Sequence, residues 1–151
     1  MQVDIQIKRI DKTLPLPTYQ TPGSVAFDIY ARENCKIPKG ELLLIPSNIC
    51  VNIPEGFALL VFSRSSMPKK KGLLKPHGVG VIDQDYCGDQ DEIKIQMYNF
   101  TDNDVEIKKG ERVAQAMIVP IFKAVMHEVE KMNEPSRGGF GSTDENIELT
   151  F

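Results

Sequence analysis

The sequence predicts an all-β fold, of the sandwich, barrel or jelly-roll type, for a chain of 151 residues. Three observations lead to this prediction. Short segments alternate apolar and polar side chains with the period of two that is typical of half-buried strands. Turns that contain glycine or proline separate these segments, and no clear helical pattern is found before residue 120.

Two strands are predicted near the N-terminus. Apolar and polar side chains alternate in residues 2–8, and the prolines at positions 15, 17 and 22 then interrupt the pattern. Residues 24–31 alternate again, so Asp28 is expected to face away from the apolar row of this strand. That row consists of Val25, Phe27 and Ile29.

Three turns of one kind are predicted, each with a glycine in third place, at Pro38–Glu41, Pro54–Phe57 and Lys108–Glu111. Each turn precedes an apolar run that is expected to be a strand. Residues 65–71 are expected to hold one short helical turn, in which Pro68 stands early enough to be tolerated.

Residues 80–88 form the stretch around which a site is expected. The flanking residues 77–79 and 92–98 have strand-like alternation, so the stretch is predicted to be the tip of a β-hairpin. It carries Asp83 and Tyr86, a carboxylate and an aromatic ring on a tight turn. Taken alone, such a carboxylate is also explained as a turn-forming residue or a solvated charge.

The C-terminal part begins with a segment whose secondary structure stays open. Apolar residues in 121–132 fit a helix, and the alternation around His127 also fits a strand. Residues 133–144 are rich in glycine and poor in apolar side chains. We expect a β jelly-roll domain at 1–132 and an arm at 133–151 that is mobile when no ligand is bound; the alternative is a frayed tail.

Composition argues against several classes of protein. A formal net charge of −3 and a pI near 5.4 disfavour a protein that coats nucleic acid. Three widely spaced cysteines indicate reduced thiols in a cytoplasmic protein rather than a disulfide framework or a zinc site. No apolar run approaches the roughly 18 residues of a membrane span, so no membrane partner is expected.

Several familiar catalytic motifs are not found in the sequence. It has no GxxxxGK[ST] phosphate loop and no HExxH, and its two histidines disfavour a multi-histidine metal site. Small polar clusters instead end the predicted strands: Asp28, Ser63–Ser66, Asp83 with Tyr86, Gln115, and Arg137 with Phe140. Seen alone, Ser65 is also explained as a helix cap and Gln115 as a hydrogen-bonded core amide.

Five segments of the chain match, in order, the five motifs of the trimeric dUTPases. They are residues 22–28 (PGSVAFD), 63–66 (SRSS), 80–86 (GVIDQDY), 110–115 (GERVAQ) and 137–142 (RGGFGS). The sequence therefore resembles the trimeric dUTPase family from about residue 22 to residue 144. The resemblance implies a jelly-roll β-barrel subunit with a flexible arm, in a homotrimer whose active sites are shared between subunits.

The resemblance also implies a reaction and a cofactor. Family members hydrolyse dUTP to dUMP and pyrophosphate with Mg²⁺, which keeps uracil out of DNA. The Mg²⁺ would be held by the triphosphate and water rather than by direct protein ligands, and Asp28 would order waters around it. Such an ion needs few protein ligands, which agrees with a sequence that has no evident metal cage.

Catalytic and phosphate-binding roles follow by position from the resemblance. Asp83 would be the general base that activates water for attack on the α-phosphorus, and Gln115 would lie near the α-phosphate or that water. Tyr86 would pack on the deoxyribose and leave no room for a 2′-hydroxyl. The phosphate chain would be bound by Arg64, Ser65 and Ser66.

The uracil would be read by the backbone of Gly80, Val81 and Ile82. Many family members have asparagine where this chain has His77. Whether the His77 side chain or only the backbone contacts the base therefore stays open.

The arm would close over the bound nucleotide as a lid. By position in the fifth motif, Arg137 would reach the γ-phosphate and Phe140 would lie over the uracil, followed by Gly141 and Ser142. A mobile, glycine-rich lid can exclude competing water once substrate is bound.

Two other functions remain as alternatives. The related dCTP deaminases are similar in fold but use a glutamate on the strand after the loop, where this chain has Gln96. An amide cannot shuttle the proton that deamination needs. The second alternative is a nucleotide-binding trimer that regulates without catalysis.

Overall fold

The computed structural model describes residues 2–139, which form eleven strands and one short helix. The all-β prediction is confirmed. The elements are β1 (Gln6–Arg9), β2 (Phe27–Tyr30), β3 (Cys35–Ile37), β4 (Leu42–Pro46), β5 (Ile49–Asn52), β6 (Phe57–Ser63), α1 (Ser66–Lys71), β7 (Leu73–Leu74), β8 (Gly80–Ile82), β9 (Lys94–Asn99), β10 (Val105–Ile107) and β11 (Arg112–Pro120).

The strands pair antiparallel in four sheets. The largest has the order β2-β11-β6-β8, a second has the order β4-β9-β7, and two further pairs join β1 with β5 and β3 with β10. One core cluster takes side chains from all four sheets. Along β9, Ile95 and Met97 are fully buried while Lys94 is exposed, as the pleat of a strand requires.

The three predicted turns are confirmed. Their glycines have φ angles of 72, 82 and 80°, a region that other residues rarely adopt. In each turn the amide of the fourth residue donates to the carbonyl of the first, at 3.1, 3.2 and 2.9 Å. Each turn leads into a strand, which is β4, β6 or β11.

The N-terminal strands are shorter than predicted. The first begins at Gln6, and the second begins at Phe27. Val25 is 74% exposed, so its assignment to the buried row was wrong. A turn in which the Ser24 amide donates to the Thr21 carbonyl at 3.0 Å precedes the strand.

The prediction that residues 80–88 form the tip of a β-hairpin was also wrong. Strand β8 pairs with β6, whereas β9 pairs with β4 and β7, so residues 83–93 cross from one sheet to the other. A turn holds this crossing, in which the Asp91 amide donates to the Gly88 carbonyl at 3.1 Å. Alternation identifies a strand but not its partner, which explains the error.

Neither alternative for residues 121–132 is found, because the segment has no regular secondary structure. Its last backbone anchor is the Ile121 amide, which donates to the Gly56 carbonyl at 2.8 Å. Phe122 and Met126 beyond it are 99% and 86% exposed. A short helix or strand is marginal without an apolar surface to cover or an edge to pair with, and the described residues supply neither.

The predicted helical turn is confirmed as α1. Pro68 lies in its first turn, where a backbone N–H would have no partner inside the helix. Gly72 ends the helix with φ 64°, and its N–H donates to the Pro68 carbonyl at 3.0 Å. This short helix follows β6 and fixes the path of the chain after Ser63.

Cys35, Cys50 and Cys87 are free thiols. Within residues 2–139, no helix combines the length and the apolar character needed to cross a membrane.

Replacement of Gly72 by alanine is expected to destabilise the fold. The new Cβ would stand 1.9 Å from Thr101 Cγ2. The alanine backbone would also be held at a φ of 64°, in the left-handed region that favours glycine. We expect the free energy of unfolding to fall by about 1–3 kcal/mol, measured by urea denaturation. Gly23→Ala is the control, because no atom lies within 4 Å of its Cβ position. Equal stability of the two variants would contradict this account of α1.

Candidate active site

Asp28, Arg64 and Gln115 are far apart in the sequence but meet in the four-stranded sheet. Strand β11 lies between β2 and β6, and its register places Gln115 opposite both Asp28 and Phe62. Arg64 follows the last residue of β6. Three of the five sequence motifs therefore converge at one end of this sheet.

The carboxylate of Asp28 is shared by two arginines. Its Oδ1 forms an ion pair with Arg64 Nε at 2.9 Å, and its Oδ2 accepts a hydrogen bond from Arg112 Nη1 at 3.1 Å. The Asp28 side chain is only 8% exposed, and an unpaired carboxylate would be costly there. One negative charge between two positive ones leaves a net positive charge at this end of the sheet.

Arg112 is the residue that sequence reasoning missed. It lies within the fourth motif but received no role, because its contact with Asp28 depends on the pairing of β11 with β2. That pairing has an irregularity between Arg112 and Ala114, which strand alternation does not reveal.

Gln115 holds the segment that carries Arg64. Its Nε2 donates to the Ser63 carbonyl at 3.1 Å, and Arg64 Nη1 donates to the Arg112 carbonyl at 3.4 Å. Gln115 is half-buried, so it is both a hydrogen-bonded amide and a neighbour of the cluster. Strand β11 thus holds both the Ser63 backbone and the Arg64 side chain.

A cavity of about 240 Å³ adjoins this cluster. Its lining is largely basic and consists of Arg64, Ser66, Met67, Lys70, Lys71, Glu111 and Arg112. Lys71 is paired with Glu111 at 2.9 Å, but the net charge of the lining is positive. Ser65 stands at the cap position of α1 without a side-chain capping bond, so its hydroxyl does not serve the helix. Guanidinium, ammonium and hydroxyl groups together suit a phosphate chain.

Asp83 and Tyr86 lie on the crossing after β8. Asp83 is exposed, and its carbonyl accepts from the Tyr86 amide at 3.3 Å. The Tyr86 hydroxyl donates to the Glu92 carbonyl at 3.1 Å, and the Glu92 carboxylate is held by Arg32 Nε at 2.8 Å. Partial burial raises the pKa of the Tyr86 phenol, with a further contribution from the Asp91 carboxylate, so the hydroxyl stays protonated and donates.

A cavity of about 340 Å³ opens beside Asp83, lined by Phe57, Ala58, Ile82, Asp83, Gln84, Asp85, Ile121 and Lys123. Gln84 fixes this loop, because its Nε2 donates to the Phe57 carbonyl at 2.9 Å. The exposed Asp83 carboxylate can therefore accept a proton from a water in a defined place.

The Asp83 and Arg64 clusters lie at opposite ends of β6. Ile82 stands opposite Leu59, so Asp83 lies beyond the first residues of β6, whereas Arg64 follows its last. Arg64 is five residues after Leu59 in the chain, and at about 3.3 Å per residue this is roughly 16 Å along the strand. One chain therefore does not bring Asp83 and Arg64 to the same phosphate.

His77 stands on the turn before β8. Its Nε2 lies 2.8 Å from Lys75 Nζ and its Nδ1 lies 3.2 Å from the Val79 carbonyl. His77 is exposed, but Lys75 is only 9% exposed, and burial lowers the pKa of its ammonium. No pattern in the sequence around Lys75 indicates that this lysine is buried.

Arg137 is exposed and lies in the segment without regular secondary structure. The predicted lid residues Phe140, Gly141 and Ser142 lie outside the described residues. Within residues 2–139, no three or more histidine, cysteine, aspartate or glutamate side chains cluster in a way that could hold a metal ion.

Asp28→Asn is expected to destabilise the fold, because two guanidinium groups lose their only shared carboxylate. Both arginines are partly exposed, at 26% and 42%, so the loss in free energy of unfolding is about 1–3 kcal/mol. Asp102→Asn is the matched control, since its partner Lys39 is also exposed. Urea denaturation measures both. An Asp28→Asn protein as stable as the control would contradict this role.

Comparison with known proteins gives one family. The sequence model of the dUTPase family matches residues 12–144. The deoxyuridine 5′-triphosphate nucleotidohydrolase of Dictyoglomus turgidum is 38% identical over 147 residues, covering 93% of this chain and 98% of the relative. The enzyme of the same name from Lactococcus lactis is 41% identical over 131 residues, covering 85% and 87%.

Solved structures agree with the sequence comparison. A dUTPase from Streptococcus mutans superposes with a TM-score of 0.73 at 32% identity, covering 80% of this chain and 98% of the other. A dUTPase mutant of Staphylococcus bacteriophage 80alpha gives a TM-score of 0.83 at 26% identity, covering 94% and 99%. These neighbours have jelly-roll-like β folds, so the predicted fold class is confirmed. The chain belongs to the dUTPase family of hydrolases.

Proposed function

We propose that this protein hydrolyses dUTP to dUMP and pyrophosphate and so keeps uracil out of DNA. The observation that carries the proposal is the basic cavity at Arg64, which is lined by residues of two family motifs, while Asp28 of a third motif pairs with its two arginines. Its charge and hydroxyl groups suit a triphosphate. The phage relative, which was solved with dUpNHpp, supports a deoxyuridine nucleotide as the ligand. The free thiols agree with a cytoplasmic protein.

Arg64, Ser65 and Ser66 bind the phosphate chain in this proposal. Arg64 lines the cavity, and the pairing of its Nε with Asp28 fixes the guanidinium there. Asp28 thus acts by positioning Arg64, in addition to the ordering of waters that the family resemblance implies. Arg112 shares this positioning role because it holds the other oxygen of the same carboxylate.

Asp83 is the proposed general base. It takes a proton from water as the water oxygen bonds to the α-phosphorus, and the bond from that phosphorus to the bridging oxygen of pyrophosphate breaks. The Asp83 side chain is exposed, so a water molecule can reach its carboxylate. Gln115 lies in the other cluster and would contact the α-phosphate or the water once both clusters meet.

The proposed contacts with the sugar and the base come from the loop after β8 and from β8 itself. Tyr86 would exclude a 2′-hydroxyl, because its hydrogen bond to Glu92 holds the ring in one position. Strand β8 is the last strand of its sheet, so the outward backbone groups of Gly80, Val81 and Ile82 have no partner strand. Such an edge can hydrogen-bond the polar edge of a uracil.

Mg²⁺ is the proposed cofactor, and the donor set fits a metal held mainly by its substrate. No cage of acidic side chains is present in residues 2–139. Both oxygens of Asp28 are already engaged by arginines, so this carboxylate would contact the metal through water. Bound with the triphosphate, the ion would neutralise phosphate charge.

The separation of the two clusters supports a homotrimer with shared sites. If Arg64 of one subunit meets Asp83 of its neighbour, one nucleotide can contact both. Apolar side chains in 121–132 also lack partners within the described part of this chain, with Phe122 and Met126 almost fully exposed. Contact with a neighbouring subunit would bury them. The arm at 133–151, with Arg137 and Phe140, would then close on a site of another subunit.

Turnover of dUTP, dCTP, dTTP and UTP, with identification of each product, tests the function. The proposal expects dUMP and pyrophosphate from dUTP, and much slower turnover of the other three nucleotides. Deamination of dCTP would favour the deaminase alternative. Tight dUTP binding without any product would favour a regulatory binding protein.

Asp83→Asn is expected to lower kcat by roughly 10²–10⁴-fold while dUTP binding is preserved, since the amide keeps the shape but cannot accept the proton. Asp89→Asn is the control, because it removes an equal charge from the same crossing at an exposed position whose carboxylate pairs with Lys8. Turnover and nucleotide binding are measured for both. Near-normal turnover by a folded Asp83→Asn protein would refute the assignment.

Mixed trimers test the shared site. Asp83→Asn and Arg64→Gln chains should each be nearly inactive alone, and are then unfolded, mixed equally and refolded. A working site needs an intact Asp83 from one chain and an intact Arg64 from another, so about a quarter of sites should recover with random assembly.

Gel filtration and mass spectrometry must verify that the trimers are mixed. Recovery of activity near a quarter supports a site made by two subunits. Activity that stays at the level of the parents in verified mixed trimers would show that each chain completes its own site. The same mixture with a chain that ends at Pro135 tests whether the arm is also supplied in trans.

A further inference from the structure

Lys75 is a buried lysine without a carboxylate. It is 9% exposed, and its Nζ has the His77 ring as its hydrogen-bond partner among residues 2–139. Its pKa is lowered by burial, with no charged neighbour contributing. Buried ammonium groups are normally paired with an anion or with several acceptors. Among residues 2–139, the Lys75 ammonium therefore lacks the acceptors that such a buried group normally has.

The contacts of His77 determine how the lysine is held. The His77 Nδ1 lies 3.2 Å from the Val79 carbonyl and 3.3 Å from Lys75 Nζ; because the carbonyl can only accept, the tautomer that satisfies it has the ring proton on Nδ1. Nε2 is then an acceptor and takes a hydrogen bond from the Lys75 ammonium at 2.8 Å. An ammonium has three donors, and this arrangement fixes its position while two of them remain for another acceptor.

The ammonium lies directly over the backbone of Gly80. A Cβ built on Gly80 would stand 3.0 Å from Lys75 Nζ and 3.5 Å from His77 Cε1. Gly80 begins β8, the edge strand whose backbone is proposed above to read the uracil. Lys75 Nζ therefore lies close to the first residue of the strand on which a base would lie.

We propose that Lys75, positioned by His77, is a specificity-determining residue whose ammonium donates a hydrogen bond to the O4 carbonyl of the bound uracil. This inference rests on the proposed function. Cytosine carries an amino group at the same place, and two donors facing each other lose a hydrogen bond and repel. The pair would replace the asparagine that many relatives have at the position of His77, with a charged donor instead of an amide.

Lys75→Met tests the proposal, because methionine has nearly the same length and can occupy an apolar site. We expect kcat/KM for dUTP to fall by roughly 10- to 100-fold, as for loss of a charge-assisted hydrogen bond. The kcat/KM for dCTP should not fall, so the ratio of kcat/KM for dUTP to that for dCTP should fall by the same factor. Lys94→Met, an exposed lysine on β9, is the control and should keep the wild-type preference.

A sulfur analogue separates contact with O4 from a structural effect. Wild type should use 4-thio-dUTP at least about 10-fold less well than dUTP, because sulfur is a weak acceptor, and Lys75→Met should show little difference between the two. If Lys75→Met does not fold, the comparison of dUTP with 4-thio-dUTP in the wild type still tests the contact with O4. An unchanged dUTP preference in folded Lys75→Met, or equal use of dUTP and 4-thio-dUTP by wild type, overturns the proposal. Wild type that turns over no dUTP would instead overturn the proposed function, and this inference with it.

Discussion

The buried carboxylate of Asp28 is the interaction on which the phosphate end of the site depends. A carboxylate in a sheet interior is stable only if cations or several donors reach it, and here two arginines do. They arrive from the end of β6 and the start of β11, so the ion pairs tie three strands together. The same contacts turn two guanidinium groups toward one cavity. Stability of the sheet and the proposed affinity for phosphate would therefore have one structural cause.

Antiparallel pairing of β6 with β8 imposes a second constraint. It sends the loop with Asp83 to one end of β6 while Arg64 stands at the other. Under the proposed function, a chain built this way carries two incomplete halves of a site, and assembly would bring complementary halves together. Catalysis and oligomerisation would then be coupled without a regulatory device, because a lone subunit would lack a complete site.

Much of this structure could be predicted from sequence, for local reasons. Each of the three glycine turns depends on four adjacent residues, and strand alternation depends on the pleat, so both could be identified. The partner of β8, the role of Arg112 and the burial of Lys75 depend on pairing between distant segments. The secondary structure of residues 121–132 could not be decided from the pattern, because every side chain after Ile121 in this segment is exposed. The five motifs pointed to Asp28, Arg64 and Gln115, but only pairing across β11 explains why they meet.

Hydrolysis of dUTP in water enriched in ¹⁸O is the most direct test of the central claim, that a water activated by Asp83 attacks the α-phosphorus. Mass spectrometry of the two products locates the label. The account predicts one ¹⁸O in dUMP and none in pyrophosphate, because the bond from the α-phosphorus to the bridging oxygen is the one that breaks. Label in pyrophosphate would mean attack at the β-phosphorus. It would contradict the proposed placement of Asp83 and Gln115 around the substrate.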